Sequence, residues 1–244
     1  MTDWPAGVEK RLYSSLDSTM AEAMRLAPQL AGPAWILARD QTAGRGRQGR
    51  DWVQPGGSFS ASLIWRPEGS VESRAQRSFA AALALRDTLS ALIGRSDGLT
   101  LKWPNDVLLN GGKVAGILLE SRVEHLIIGI GVNLLTAPRD GEIAPGSARP
   151  VSLMGETGLR VEPESFLDLL APAYAEWEAT LTTHGFAPLR REWLTHAARL
   201  GEVITARVGA DERQGIFETV DAAGALVLKT RNGRETIAAA DVYF

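Results

Sequence analysis

Between Leu99 and Asn133 the chain reverses direction at short intervals, and this stretch constrains the fold more than any other. Leu99-Thr-Leu-Lys-Trp103 is a short strand stopped by Pro104. Val107-Leu-Leu109 and Lys113 to Arg122 flank Asn110-Gly111-Gly112, and Asn-Gly between apolar runs is the strongest short-range hairpin signal. Glu124-His125 makes a further turn. Leu126-Ile-Ile-Gly-Ile-Gly-Val-Asn133 then reads as a strand whose glycines allow a ligand or another backbone to come close. Consecutive hairpins of this kind imply a mixed or antiparallel central sheet. With the helical patterns elsewhere, they predict an α+β fold with helices packed on one side.

The flanking elements follow from periodicity. Residues 1 to 12 read as a short lead-in. Met20, Ala23, Met24 and Ala27 form a helical stripe that Asp17 or Ser18 can cap. Trp35 to Arg39 and Ser58 to Trp65 read as strands, and Glu72 to Ile93 is the longest helical pattern, closed by Gly94. Thr136 to Val151, rich in Pro, Gly and charge, reads as a surface loop. Pro163 to Leu181 and Pro188 to Leu200 read as helices. After Leu200 the pattern becomes alternating, with turns at Asp221 to Gly224 and Asn232-Gly233. This predicts a small β-barrel over 200–244 packed on a larger domain over 1–199.

Composition narrows the functions on offer. The 244 residues carry a net charge of −3, which argues against a dedicated nucleic-acid binder, usually a basic protein. The absence of cysteine excludes disulfides, thiolate catalysis and thiolate-bound metals, and agrees with a cytoplasmic setting. His125, His184 and His196 lack metal-ligand spacing. No apolar leader is expected at the start, and the apolar run Phe79–Leu85 is too short to cross a bilayer, so no membrane is expected as a partner.

The chemistry concentrates in Gln41-Thr-Ala-Gly-Arg-Gly-Arg-Gln-Gly-Arg50. Glycine admits close approach of a ligand, and arginine offers a planar cationic fork for phosphate or carboxylate. Arg45, Arg47 and Arg50 repel one another, so the stretch should stay loose until an anion neutralises it. Gly44, Gly46 and Gly49 also satisfy G-x-G-x-x-G, but Asp51-Trp-Val-Gln-Pro-Gly-Gly57 cannot open the helix that a dinucleotide site needs. A solvated basic loop, or an RG-type nucleic-acid segment, is the plainer alternative. Three further polar clusters fall where strands or turns end: Ser18-Thr19, Lys102-Trp-Pro-Asn-Asp106 and Lys113-Val-Ala-Gly116. Each has a structural explanation alone, as a helix cap, a turn and a solvated hairpin residue. Each also adds a group suited to a carboxylate, a phosphate or a metal.

In this order and spacing, the motifs closely resemble those of biotin–protein ligases. They are Asp17-Ser-Thr, Gln41 to Arg50 followed by Trp52, Lys102-Trp-Pro-Asn-Asp106, Lys113-Val-Ala-Gly-Ile-Leu-Leu-Glu120, Gly129-Ile-Gly-Val-Asn133 and the cadence of Gly215 to Leu228. The resemblance implies a class II synthetase-like catalytic domain with an SH3-like C-terminal barrel. It implies ATP-dependent activation of biotin to biotinyl-5′-AMP, then transfer to one lysine of a biotin carboxyl carrier domain, that of acetyl-CoA carboxylase being the natural candidate. Ser18, Thr19 and Gln41 would hydrogen-bond the ureido ring. Gly44, Arg45, Gly46 and Arg47 would fold over biotin and the adenylate, with Gly116 beside them. Lys113 would contact both carboxylate and phosphate. Arg50, Trp52, Lys102, Asn105, Asp106 and Asn133 would serve the nucleotide, Lys102 as electrostatic support and Asp106 also as a ligand for Mg²⁺. Met20 stands where many relatives carry a polar residue. The catalytic pattern starts close to Met1, so the form without an N-terminal DNA-binding domain, and no DNA partner, is expected. Edge pairing of the sheet would permit a homodimer. The nearest alternative is a lipoate or octanoate ligase, which shares the fold and the acyl-adenylate logic.

Overall fold

A computed structural model describes residues 3–122, 124–139, 142–143 and 148–244. Seven strands form one sheet: β1 (Glu9–Leu16), β2 (Ala34–Gln41), β3 (Phe59–Trp65), β4 (Leu99–Lys102), β5 (Asp106–Leu109), β6 (Gly112–Arg122) and β7 (His125–Val132). Their order across the sheet is β1-β2-β3-β7-β6-β5-β4. Every pairing is antiparallel except β1 with β2, so the sheet is mixed as expected. The hairpins from Leu99 onward form where the turn residues placed them, with Asn110 at φ 50° and Gly111 at φ 79° between β5 and β6.

The two long helices, α3 (Arg77–Ile93) and α5 (Pro163–His184), pack on one face. There Leu37, Leu63, Ile128 and Ile130 join Leu83, Leu170 and Ala171 in the main core. The alternate residues Ile36, Ile64 and Ile127 point the other way and bury the stripe Met20, Ala23 and Leu26 of α1 (Thr19–Leu26). One short helix therefore covers the opposite face at the end where the polar motifs gather. The expected Glu72–Ile93 helix is two pieces, α2 (Val71–Ala75) and α3, meeting at Gln76. Gly94 ends α3 in the left-handed conformation at φ 74°, which glycine takes without a Cβ penalty.

α3 is buried almost all round, because α5 and α6 (Phe186–Thr195) cover the side away from the sheet. Arg77, on that covered side, is 3% exposed and pairs with Glu178 at 2.7 Å. Tyr174 donates to the same carboxylate at 3.1 Å, and burial pushes its hydroxyl well above the usual tyrosine range. Removing one partner of such a buried pair strands the other charge. Arg77→Ala is therefore expected to cost about 3 kcal/mol of stability, measurable by urea unfolding.

Two expectations need revision. The lead-in contains β1, an edge strand whose sequence Glu-Lys-Arg-Leu-Tyr-Ser-Ser-Leu shows almost no alternation, because the strand is half exposed. Of the expected 136–151 loop, residues 140–141 and 144–147 lie outside the described residues. Beyond it, Ser152 caps a short helix, α4 (Leu153–Thr157), by accepting from the Gly155 N–H at 3.1 Å.

The C-terminal region is a second, antiparallel sheet. It comprises β8 (Val203–Val208), β9 (Asp211–Val220), β10 (Leu226–Thr230), β11 (Gly233–Ile237) and β12 (Asp241–Tyr243), in the order β11-β10-β9-β8-β12. It is fastened to the larger layer at named points. Trp103 donates its indole N–H to Gly224 O at 3.0 Å and Arg190 donates to Val220 O, while the 196–198 segment that leads into the C-terminal sheet bonds Leu101 on both sides at 2.8 Å. Among the described residues, no helix is long and apolar enough to cross a membrane.

Candidate active site

A cavity of about 450 Å³ opens where the N-terminus of α1, the ends of β2, β6 and β7, the Arg/Gly segment and β12 converge. Its deep end is polar and tightly specified. Gln41 Oε1 accepts from the Thr19 backbone N–H at 2.8 Å and from Thr19 Oγ1 at 3.0 Å, and Ser62 Oγ donates to Thr19 Oγ1 at 2.8 Å. The carboxamide oxygen of Gln41 is thus committed, which leaves its NH₂ for a ligand. Ser18 occupies the N-cap position of α1 without using its side chain as a cap. Its hydroxyl is buried with no partner among the described residues. A buried hydroxyl left so costs free energy unless a ligand satisfies it. Asp17 accepts from the Ser18 N–H at 2.7 Å, and Arg25 together with that bond holds the Asp17 carboxyl down at about 2.

The floor is glycine. Gly116 on β6 lies directly opposite Gly131 on β7, and Gly129, two residues earlier on β7, faces the same way. A Cβ at Gly116 would come within 3.1 Å of the Trp52 ring, one at Gly131 would fall inside the Trp52 indole, and one at Gly129 would meet Met20 Sδ at 2.5 Å. The strand spends its glycines to let an indole and a thioether lie flat on the sheet.

The walls are charged. Lys113 Nζ pairs with Asp106 Oδ1 at 2.6 Å and lies 5.7 Å from the Trp52 ring centroid. Lys102 is 7% exposed, and burial lowers its pKa against the pull of Asp106. Its ammonium stands 4.8 Å from the Phe244 ring, an arrangement for holding a cation and not for attacking a substrate. Asn105 donates to Ile117 O at 2.6 Å and accepts from Arg47 at 3.3 Å. Asn133 donates to Val151 O at 3.0 Å, while its Oδ1 is buried with no donor among the described residues.

The Arg/Gly segment closes the mouth. Its ends meet at Gly44, whose carbonyl accepts from Trp52 N–H at 3.0 Å and where a Cβ would strike the Trp52 carbonyl. A short 3₁₀ turn, Arg47–Gly49, follows, with Gln48 at φ 56° and Gly49 at φ 73°. The expectation that three mutually repelling arginines wait for an external anion meets an internal one instead. Arg50 is ion-paired with Asp241 of β12, and Arg47 lies 3.7 Å from the same carboxylate. Arg45 pairs through its backbone, opposite Asp51, and among the described residues its side chain has no partner.

The fold thus gathers into one cavity lining Ser18, Thr19, Gln41, Arg45, Gly46, Arg47, Arg50, Trp52, Lys102, Asn105, Asp106, Lys113, Gly116 and Asn133. Gly44 stands behind the lining as the turn that returns the segment. Met20, Gly129 and Gly131, singled out in the sequence without a contact assigned to them, also line it, whereas Asp241 and Tyr243 were not anticipated. The glycines were visible as alternate positions of one strand. Asp241 follows only from packing between the two sheets. Among the described residues no group of three His, Cys, Asp or Glu could hold a metal.

A cationic flap, one buried and one half-buried lysine, and an uncharged, hydrogen-bonding deep end define the class: an enzyme site that brings an acid and a polyphosphate together. Residues 12–133 match the biotin/lipoate A/B protein ligase family, and residues 200–244 match the biotin protein ligase C-terminal domain. The biotin–[acetyl-CoA-carboxylase] ligase of Paracoccus denitrificans is 58% identical over 238 residues, 96% of this chain and 99% of that protein. The bifunctional ligase/repressor BirA of Bacillus subtilis is 32% identical over 94% of this chain and 72% of its own length. The fold superposes on the Aquifex aeolicus biotin protein ligase in complex with biotin and ATP with a TM-score of 0.80, at 24% identity, covering 96% and 97% of the two chains. The chain belongs to the biotin/lipoate A/B protein ligase family.

Proposed function

We propose that this enzyme activates biotin with ATP and transfers the biotinyl group to a lysine of the carrier domain of acetyl-CoA carboxylase. The observation that carries the reading is the pairing of two unlike ends in one cavity. The Ser18 hydroxyl and the Gln41 NH₂, both without a partner among the described residues, suit a neutral ureido ring, and Lys113 lies at the cationic end. Relatives whose names state this activity, at identity as high as 58%, support it.

In the first step the biotin carboxylate attacks the α-phosphorus of ATP, the P–O bond to the β-phosphate breaks, and pyrophosphate leaves. Both reactants are anions, so the principal task is to offset their repulsion. Lys113 exchanges Asp106 for the carboxylate and the phosphate. Being a compact point charge on a flexible stem, it can follow the negative charge as it moves. Arg45 and Arg47 cover the α-phosphate, and Lys102 adds fixed positive potential from beneath. The Trp52 ring packs on the acyl chain and base. Asn133 Oδ1, a buried acceptor lacking a donor among the described residues, suits an exocyclic amine. In the second step the carrier lysine's neutral amine attacks the acyl carbon, AMP departs with the C–O bond pair, and the amine releases its proton.

Mg²⁺ fits this set of residues only when it is held mainly by the triphosphate, with Asp106 as the carboxylate beside Lys113, and there it would offset charge on the leaving pyrophosphate.

The covered mouth keeps water from a reactive mixed anhydride. Arg47→Ala is expected to release free biotinyl-adenylate and to lower carrier labelling, as read by chromatography of the reaction mixture. Unchanged retention of adenylate would refute the clamp. Transfer from labelled biotin set against labelled lipoate separates this reading from the lipoate alternative, with transfer from biotin alone expected.

A further inference from the structure

The flap rests on a strand of the C-terminal sheet that offers it only acceptors. Ala240 O accepts two N–H groups of Arg47 at 3.3 Å each, and the Asp241 carboxylate takes Arg50 with one oxygen while the other lies 3.7 Å from Arg47. The supporting strand is firmly placed. β12 pairs with β8 through Asp241, Val242 and Tyr243, and Val242 is 6% exposed. The same sheet is bonded to Trp103, beside Lys102, through Gly224.

The flap itself has few other anchors. Gly46 N–H to Arg50 O and Trp52 N–H to Gly44 O are bonds within it, and Arg47 to Asn105 is its side-chain tie to the sheet. The three arginines are therefore unequal. Arg50 is taken by Asp241, Arg47 is shared, and Arg45 has no side-chain partner among the described residues, though it lines the cavity.

We propose that Asp241 is a positioning residue for the flap: with Arg50 it forms a strut from the C-terminal sheet that holds the flap over the cavity and thereby retains the acyl-adenylate between the two steps. This rests on the adenylate-forming reading above. The C-terminal sheet then governs how long the intermediate stays, while the other cations serve the chemistry. A carboxylate beside a polyphosphate site would only repel substrate if it had no fixed cation of its own, and Arg50 is that cation.

The test is the ratio of pyrophosphate released to carrier lysine labelled, measured with the full-length enzyme and purified carrier domain for Asp241→Asn, Arg50→Ala, the double variant and Asp241→Glu. Wild type is expected to stay near one. Asp241→Asn should raise the ratio about tenfold, on the scale of one lost charge-assisted hydrogen bond. Arg50→Ala should match it, the double variant should be no worse than either, and Asp241→Glu should recover much of the coupling. A ratio near one in Asp241→Asn, or leakage in the double variant equal to the product of the single effects, overturns the strut. So does an Asp241→Asn enzyme whose labelling falls only in step with a lower melting temperature. Failure of the wild type to release pyrophosphate on adding biotin would instead overturn the adenylate-forming reading.

Discussion

Replacing Lys113 by alanine is expected to lower biotin-dependent pyrophosphate exchange by about 10²–10³-fold, the usual cost of removing one preorganised charge-stabilising donor. The loss should fall mainly on kcat, because the ammonium is needed most when the carboxylate and phosphorus meet. The present pairing with Asp106 at 2.6 Å shows how much local negative charge that ammonium already offsets. Without it, Asp106 loses its ion-pair partner beside the incoming triphosphate, so an apolar replacement costs twice over. Lys113→Arg should recover little, since a rigid planar fork cannot follow charge from one oxygen to another. Full exchange activity in Lys113→Ala would remove this residue from the mechanism.

Gly131→Ala is expected to be nearly as damaging, by about 100-fold in exchange, although it adds only a single uncharged methyl group. That methyl would fall inside the Trp52 indole. Gly131 has no left-handed backbone that demands glycine, so the cost is one of space. The ring must lift from the floor it shares with Gly116, and the nearby Lys113 ammonium and the return of the flap at Gly44 shift with it. Trp52→Ala in the Gly131→Ala background relieves the clash, so the two changes together should be less than multiplicative. A Gly131→Ala enzyme with ordinary activity would mean that the indole is free to move aside without consequence.

How far such residues could be read in advance depends on where their constraints originate. The β4 to β7 hairpins are written in local turn chemistry, and Asn110-Gly111 behaves as that chemistry requires. The polar motifs were legible because each sits at the end of a strand, and the sheet order brings those ends together. β1 was missed because an exposed edge strand carries charge on both faces and loses its period-2 signature. The role of Gly129 and Gly131 as clearance for Met20 and Trp52 required knowing that β6 and β7 pair with Gly116 opposite Gly131. Asp241 lies 191 residues from Arg50 on a different sheet, and no local pattern announces such a pair.

The most direct measurement is the exchange of labelled pyrophosphate into ATP by the purified enzyme. Exchange that appears on adding biotin, is absent without it and is not supported by lipoate is the predicted result. Exchange that ignores biotin, or none at all with biotin and ATP both saturating, would contradict the account that Lys113 and the arginine flap join this acid to a nucleotide.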